Sequence, residues 1–327
     1  MSKLYYFFII NFLFIVFFYR YNFFIARKLN LLDIPDFRRK IHTKKIPLTG
    51  GIFFLFFAVF NQLLNSNENL IKDIYYIIFF IVFFTVGLLD DLINLKPNSK
   101  IIIIFLLSLM LVSLSNETKL FEIKLFINST NQFYYKNFNS IFLSAIFLTS
   151  LIIVFNLIDG ANGIALVFFS ICVLFLNLNN EFNFFVICFY IVNILSYFMI
   201  NMKNKSFLGS SGNIILSLIL YLSFVEEYNN NFEFDLIYLM IFLYLPYLDA
   251  VRLFIIRALN RQSPFNPDKN HFHHYLIKNQ LIKKSYLFAT SLIVSTPLIS
   301  IYLLGVNAAI ILIISLIVYF LFIYWIK

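Results

Sequence analysis

The sequence predicts an all-α, polytopic integral membrane protein, and three observations carry that prediction. Of 327 residues, 61% are hydrophobic and 20% aromatic, while only 13% are charged, about half the ~25% usual in soluble domains. Nearly every stretch between polar clusters approaches the ~20 apolar residues that a helix needs to cross a bilayer. Runs such as 74–89 and 101–114 are apolar all round, whereas the strands of a membrane barrel alternate with period two, so a transmembrane barrel is excluded.

Taken in order, eleven spans are expected, and the whole chain, 1–327, is read as one transmembrane domain. The first, 4–25, follows a single Lys3 without a small-residue cleavage site, which predicts a retained helix rather than a removed signal peptide. Spans 48–64, 74–89 and 101–115 follow, the second of them ending at Asp90-Asp91. The outer loop 116–140 alternates around 120–126 as a small hairpin would, but is read as a solvated connector. Spans 141–158 and 164–178 are joined by a short polar turn, and 183–202, 213–225, 236–256, 286–304 and 308–326 complete the set. No internal repeat supports an inverted-repeat transporter. Cys172 and Cys188 lie in separate apolar stretches and read as small buried hydrophobes.

Charge orients the chain. Lys and Arg number 25 against 16 Asp and Glu, a net +9, which in a membrane protein points to loop asymmetry before nucleic acid, and no nucleic acid is expected as a partner. Loops 26–47, 90–100, 159–163, 203–212 and 257–284 share one face. That face and its adjoining helix ends hold 20 of the 25 cations, so it is assigned to the cytoplasm, with the N-terminus outside and the C-terminus inside. All four His and seven Asp fall on it as well, whereas every Glu falls on the other side. The cytoplasmic face therefore carries the chemistry.

Asp90 and Asp91 are adjacent carboxylates at a membrane surface. Such a pair repels itself, which suits a site that handles a cation or a proton, Mg2+ above all, although a solvated helix end explains it too. Asn156-Leu-Ile-Asp159-Gly160-Ala-Asn162-Gly163 puts an Asn and an Asp at helix ends on the same face, with glycines that allow a ligand close. Gly209-Ser-Ser-Gly212 offers backbone N–H groups at a helix start, a candidate anion site. Two basic clusters complete the face. One runs from Asp33 through Arg38, Arg39, Lys40 and His42 to Gly50-Gly51, and equally suits anionic lipid. The other runs from Asp249 and Arg252 through Arg257, Arg261 and Asp268 to His271, His273 and His274. Zinc is the rival reading of the three histidines, but no Cys is near and neighbouring histidines do not easily reach one tetrahedral metal, so a diphosphate held by His, Arg and Lys fits better.

In this order the motifs resemble the polyprenyl-phosphate N-acetylhexosamine-1-phosphate transferases, the MraY/WecA superfamily or glycosyl transferase family 4. The matching residues are Asp33, Pro35, Arg39, Lys40, His42, Pro47, Gly50 and Gly51; the Asp90-Asp91 pair; Asn156 and Asp159-Gly160; Phe207-Leu-Gly209; and Ser263-Pro-Phe-Asn-Pro-Asp268 to His271, His273 and His274. The last motif is more similar to the WecA-like branch, which uses UDP-N-acetylhexosamines. The resemblance implies that a polyprenyl phosphate, typically undecaprenyl phosphate, attacks the β-phosphorus of a UDP-sugar and releases UMP. It implies a location in the bacterial inner membrane with the active face cytoplasmic, UDP-sugar and lipid phosphate as partners, and a second copy of the chain as a candidate partner.

Carried over residue by residue, Asp90, Asp91, His271, His273 and His274 would be catalytic. Arg39, Lys40, His42, Asn156, Asp159, Asn162, Lys205 and Arg261 would bind substrate. Asp91, Asp159 and the residue at 210 would hold Mg2+, with Mn2+ as the substitute. Two positions depart from the family pattern: Ser210 stands where it has its metal-ligating Asp, and Asn162 where the D-G-x-D-G motif has its second Asp. A neutral hydroxyl binds Mg2+ more weakly than a carboxylate. An active enzyme is favoured over two other readings, a catalytically impaired scaffold and an ion-coupled transporter relaying through Asp249 and Arg252. The polar groups cluster at helix ends, whereas a transporter holds them near the midplane.

Overall fold

The computed structural model describes all residues except 1, 36–43, 65–69, 127–131, 136–138, 178–183, 232–233, 264–269, 279–284 and 327. Helices occupy each of the eleven expected stretches: α1 (Ser2–Lys28), α2 (Gly50–Leu64), α3 (Leu70–Ile93), α4 (Pro97–Leu114), α5 (Ser140–Ile158), α6 (Ile164–Leu176), α7 (Phe184–Met202), α8 (Gly209–Asn230), α9 (Leu236–Leu259), then, beyond the short α10 (Phe272–Lys278), α11 (Ser285–Tyr302) and α12 (Ala308–Ile326). Eight of them are long and apolar enough to cross a bilayer, while Gly50–Leu64, Ile164–Leu176 and Ile187–Met202 are shorter apolar segments. The chain is thus a multi-pass membrane protein, with eight candidate spans among the described residues where eleven were expected. Large apolar side chains stay on the outside of the helices, Phe12 and Leu13 on α1 and Ile317 and Leu321 on α12 among them, as lipid-facing surfaces require.

The structure divides into two compact units, one made of residues 1–104 and 181–219, the other of 105–180 and 220–327. In the first, α2 packs on α1, α3 and α7. Lipid gives helices little hydrophobic reason to associate, so ring packing and small residues do the work. Tyr197 lies 5.0 Å from Phe53 and 4.9 Å from Phe54, and Phe57 stacks on Phe189 at 5.4 Å. A two-residue ladder, β1 (Leu32–Asp33) with β2 (Ile46–Pro47), leads into α2. The loop before α8 is laced to it: Phe207 N donates to Pro47 O (2.8 Å), Gly50 N to Phe207 O (3.1 Å), and Ser206 Oγ lies 2.8 Å from Thr49 Oγ1. A methyl on Gly51 or Gly87 would overlap Ser211, so these two glycines let α2 and α3 meet the start of α8.

In the second unit α9 is the hub, packed on α5, α11 and α12, while α6 lies on α11. Pro297 inside α11 cannot donate to Ile293 O, and the Tyr244 hydroxyl of α9 takes that carbonyl instead at 2.6 Å. Between α4 and α5 lies a hairpin of β3 (Ile123–Phe126) and β4 (Gln132–Tyr135), docked where a solvated connector was expected. Lys124, 3% exposed, donates to Tyr228 O and, at 2.9 Å, to Asn231 O, closing the C-terminal end of α8. Asn229 Nδ2 returns a hydrogen bond to Lys119 O at 2.6 Å.

Candidate functional site

In the first unit the acidic pair occupies the last turns of α3, one turn further into the helix than the expected loop start at 90. The helix stops at Asn94, whose φ of +50° lies in the left-handed region, a conformation that Asn accepts at a helix end. The two carboxylates then diverge. Asp91 turns to α8, its Oδ1 accepting from Ser210 N (2.7 Å) and its Oδ2 from Ser211 N (3.1 Å) and Ser211 Oγ (2.6 Å). The N-terminus of α8, expected to bind an anion, already holds one, the protein's own carboxylate. Asp90 Oδ1 accepts from Leu95 N at 3.0 Å, and its Oδ2 from Lys100 Nζ at 2.7 Å and from Ser210 Oγ. Lys100 Nζ also lies 3.1 Å from Ser210 Oγ.

The second unit holds the histidines. Asp249 of α9 is 3% exposed and fully engaged. Its Oδ1 accepts from Arg252 (2.8 Å), Tyr319 OH (2.9 Å) and Phe272 N (3.1 Å), while Oδ2 lies 2.8 Å from His271 Nδ1. Arg252 Nε donates to the Tyr319 hydroxyl at 2.9 Å, and its Nη2 to Asn270 O at 2.6 Å. This array fixes the His271 ring. His273 stacks parallel to it with centroids 5.4 Å apart, and His274 follows at 4.4 Å from His273. His273 is 1% exposed, yet neither ring nitrogen has a hydrogen-bond partner. Burial first, then the charges of His274 and His271, pushes its pKa down to about 3. Unpartnered buried nitrogens are costly, and they are a feature to be explained by a ligand group.

The ring of His273 lies against the α5–α6 turn, where any side chain at Gly160 would overlap it. Asp159 and Asn162 belong to this same turn and Asn156 to the last turn of α5, and Tyr286 OH of α11 donates to Asn162 O at 3.0 Å. Gly163, with φ +85°, starts α6.

The expected site residues thus fall into sets. Asp90, Asp91 and Ser210 gather in the first unit; the turn with Asp159 and the three histidines gather in the second. Lys205 is exposed and its ammonium sits 3.8 Å over the Tyr19 ring, a cation–π contact. Arg261 is exposed just beyond α9, with φ +55°. Arg39, Lys40 and His42, like Asp268, lie outside the described residues. Sequence reasoning missed Lys100, Tyr286 and Tyr319, and named Ser211 only within the Gly209–Gly212 anion motif. Only Lys100 carried a signal, a cation ten residues after Asp90 and at the start of a helix.

The donor set of the first unit does not fit a resident Mg2+. That ion asks for anionic oxygens in an octahedron and commonly uses one or two carboxylates. Here Asp91 accepts three donors as a helix cap, position 210 gives a neutral hydroxyl, and an ammonium already sits against Asp90. Within this unit the described residues offer no group of three His, Cys, Asp or Glu.

Residues 74–227 match the model of glycosyl transferase family 4. The chain is 26% identical over 252 residues to the undecaprenyl-phosphate alpha-N-acetylglucosaminyl 1-phosphate transferase of Thermotoga maritima, covering 76% of this chain and 74% of that protein. It is 26% identical over 260 residues to a Bacillus subtilis protein named as a probable transferase of the same kind, covering 77% and 71%. Against the Escherichia coli K12 protein named as the former is, identity is 23% over 330 residues, covering 93% and 85%.

Proposed function

For a chain whose residues 74–227 match the model of glycosyl transferase family 4, we propose transfer of N-acetylglucosamine 1-phosphate from UDP-N-acetylglucosamine to undecaprenyl phosphate with release of UMP. One observation carries this reading: similarity to proteins named for that reaction extends over up to 93% of the chain. The reaction runs at the cytoplasmic face of the bacterial inner membrane, the face to which the cation bias assigns the acidic pair and the histidines.

The chemistry is an in-line displacement. An oxygen of the lipid phosphate bonds to the β-phosphorus, the bond from that phosphorus to the bridging oxygen breaks, and UMP leaves. Such a displacement needs positioning and charge stabilisation rather than a covalent protein intermediate. Asp90 takes any proton the acceptor phosphate carries. Asp91, bound to the start of α8, acts by placing Ser210 and Ser211. In the second unit His273 stays neutral at pH 7, so it offers one N–H donor and one acceptor to the sugar or diphosphate, not a full charge. His271, clamped by Asp249 through Nδ1, presents Nε2. Asn156, Asp159 and Asn162 line the nucleotide-sugar side with backbone and oxygen acceptors.

The test is transfer of radiolabelled N-acetylglucosamine from UDP into the lipid phase by the purified chain supplied with undecaprenyl phosphate. Wild type is expected to transfer and Asp90→Asn to fall to background. Transfer by Asp90→Asn at the wild-type rate would remove Asp90 from the mechanism. A folded wild type inert with every UDP-N-acetylhexosamine would defeat the reading itself.

A further inference from the structure

We propose that the Lys100 ammonium is the resident cation of the corner formed by Asp90 and Ser210, and that this corner takes up no divalent ion of its own. The ammonium lies 2.7 Å from Asp90 Oδ2 and 3.1 Å from Ser210 Oγ. Both charged side chains are largely withdrawn from solvent, at 13% exposure for Lys100 and 12% for Asp90. Lys100 stands in the first turn of α4, where the helix dipole disfavours a cation. The helix does not hold it there; the carboxylate does. The connection is short as well, and Leu95 N fixes the other oxygen of Asp90 at 3.0 Å, so the acid is oriented toward α4.

Charge then decides the occupant. Asp90 and Lys100 cancel, and the Ser210 hydroxyl adds none. The second carboxylate, Asp91, is spent on the positive end of α8. A divalent ion entering this corner would have to expel the ammonium and strip the serine, and would gain one carboxylate. Were position 210 an Asp, the same corner would carry a net negative charge with Lys100 present and two carboxylates facing each other without it. Ser210 is therefore the substitution that makes lysine a sufficient cation. The inference concerns which ion this corner holds, and it stands whether or not the transferase reading does.

Two substrate-free measurements on the full chain in detergent test it. Amine-directed labelling read by mass spectrometry is expected to leave Lys100 several-fold less reactive than the exposed Lys28, equally with and without millimolar Mg2+. Asp90→Asn is expected to raise Lys100 labelling toward the Lys28 level. Titration with Mn2+ followed by electron paramagnetic resonance is expected to show no stoichiometric uptake by wild type and one equivalent bound by the double variant Lys100→Met, Ser210→Asp. Deprotection of Lys100 by Mg2+, unchanged labelling in Asp90→Asn, or one equivalent of Mn2+ on wild type that Asp90→Asn abolishes would each overturn the proposal. Loss of transferase activity would not bear on it, since neither measurement uses a substrate.

Discussion

The buried imidazole of His273 ties stability to pH. His273 is held neutral by burial, with its pKa near 3, against ~6.5 in an unfolded chain. Between those values the unfolded state binds a proton that the folded state refuses, so this residue's contribution to stability falls as pH drops from ~6.5 toward 3, by at most about 1.4 kcal/mol per unit. His273→Gln should lose less melting temperature between pH 7 and pH 4.5 than wild type, as followed by thermal denaturation in detergent. Gly160→Ala tests the same ring from the other side. Its methyl would overlap His273, so a stability loss of about 1–3 kcal/mol is expected with a larger loss of transfer activity. At this scale the acidic pair was legible, because two adjacent charges interrupt an apolar run. Lys100 was not, because a lysine beside an apolar span reads equally as an orientation signal. Tyr319 was hidden further, one of 20 Tyr in a chain where tyrosine in an apolar helix is commonplace.

Helices were legible because their apolar runs are long, while what joins them was not. The contacts of α8 illustrate this: its start is capped by Asp91 across 119 positions of sequence, and its end by Lys124 across 104. No local pattern encodes such pairings. Lys124→Met should leave the carbonyls of Tyr228 and Asn231 without that donor and cost about 1–3 kcal/mol, seen as a lowered melting temperature. Transfer per folded molecule should stay at the wild-type rate, since the carbonyls that Lys124 holds lie at the end of α8 opposite Ser210 and Ser211. Asp249 and Arg252 were visible as an i, i+3 pair, and the structure adds what they hold: His271, Tyr319 and the start of α10. With Oδ1 accepting three donors and Oδ2 bound to His271, that acid is built as a clamp and not as a relay.

For the whole molecule, composition alone made the multi-pass class plain, and the cation bias predicts its orientation. Cysteines placed at Lys119 and at Arg261, after removal of Cys172 and Cys188, should react with a membrane-impermeant maleimide from opposite sides, Lys119→Cys from outside intact cells and Arg261→Cys only after lysis. The reverse pattern would invert the topology. The proposed reaction rests on the order of short motifs, none decisive alone, and Ser210 is where the chain departs from the expected pattern. The central claim is that a sugar 1-phosphate, not a sugar, moves to the lipid, and the released nucleotide reports it directly. Chromatography of the products from UDP-N-acetylglucosamine and undecaprenyl phosphate should show UMP formed one for one with a lipid-linked sugar diphosphate. Release of UDP, or of no nucleotide from folded protein, would contradict the account.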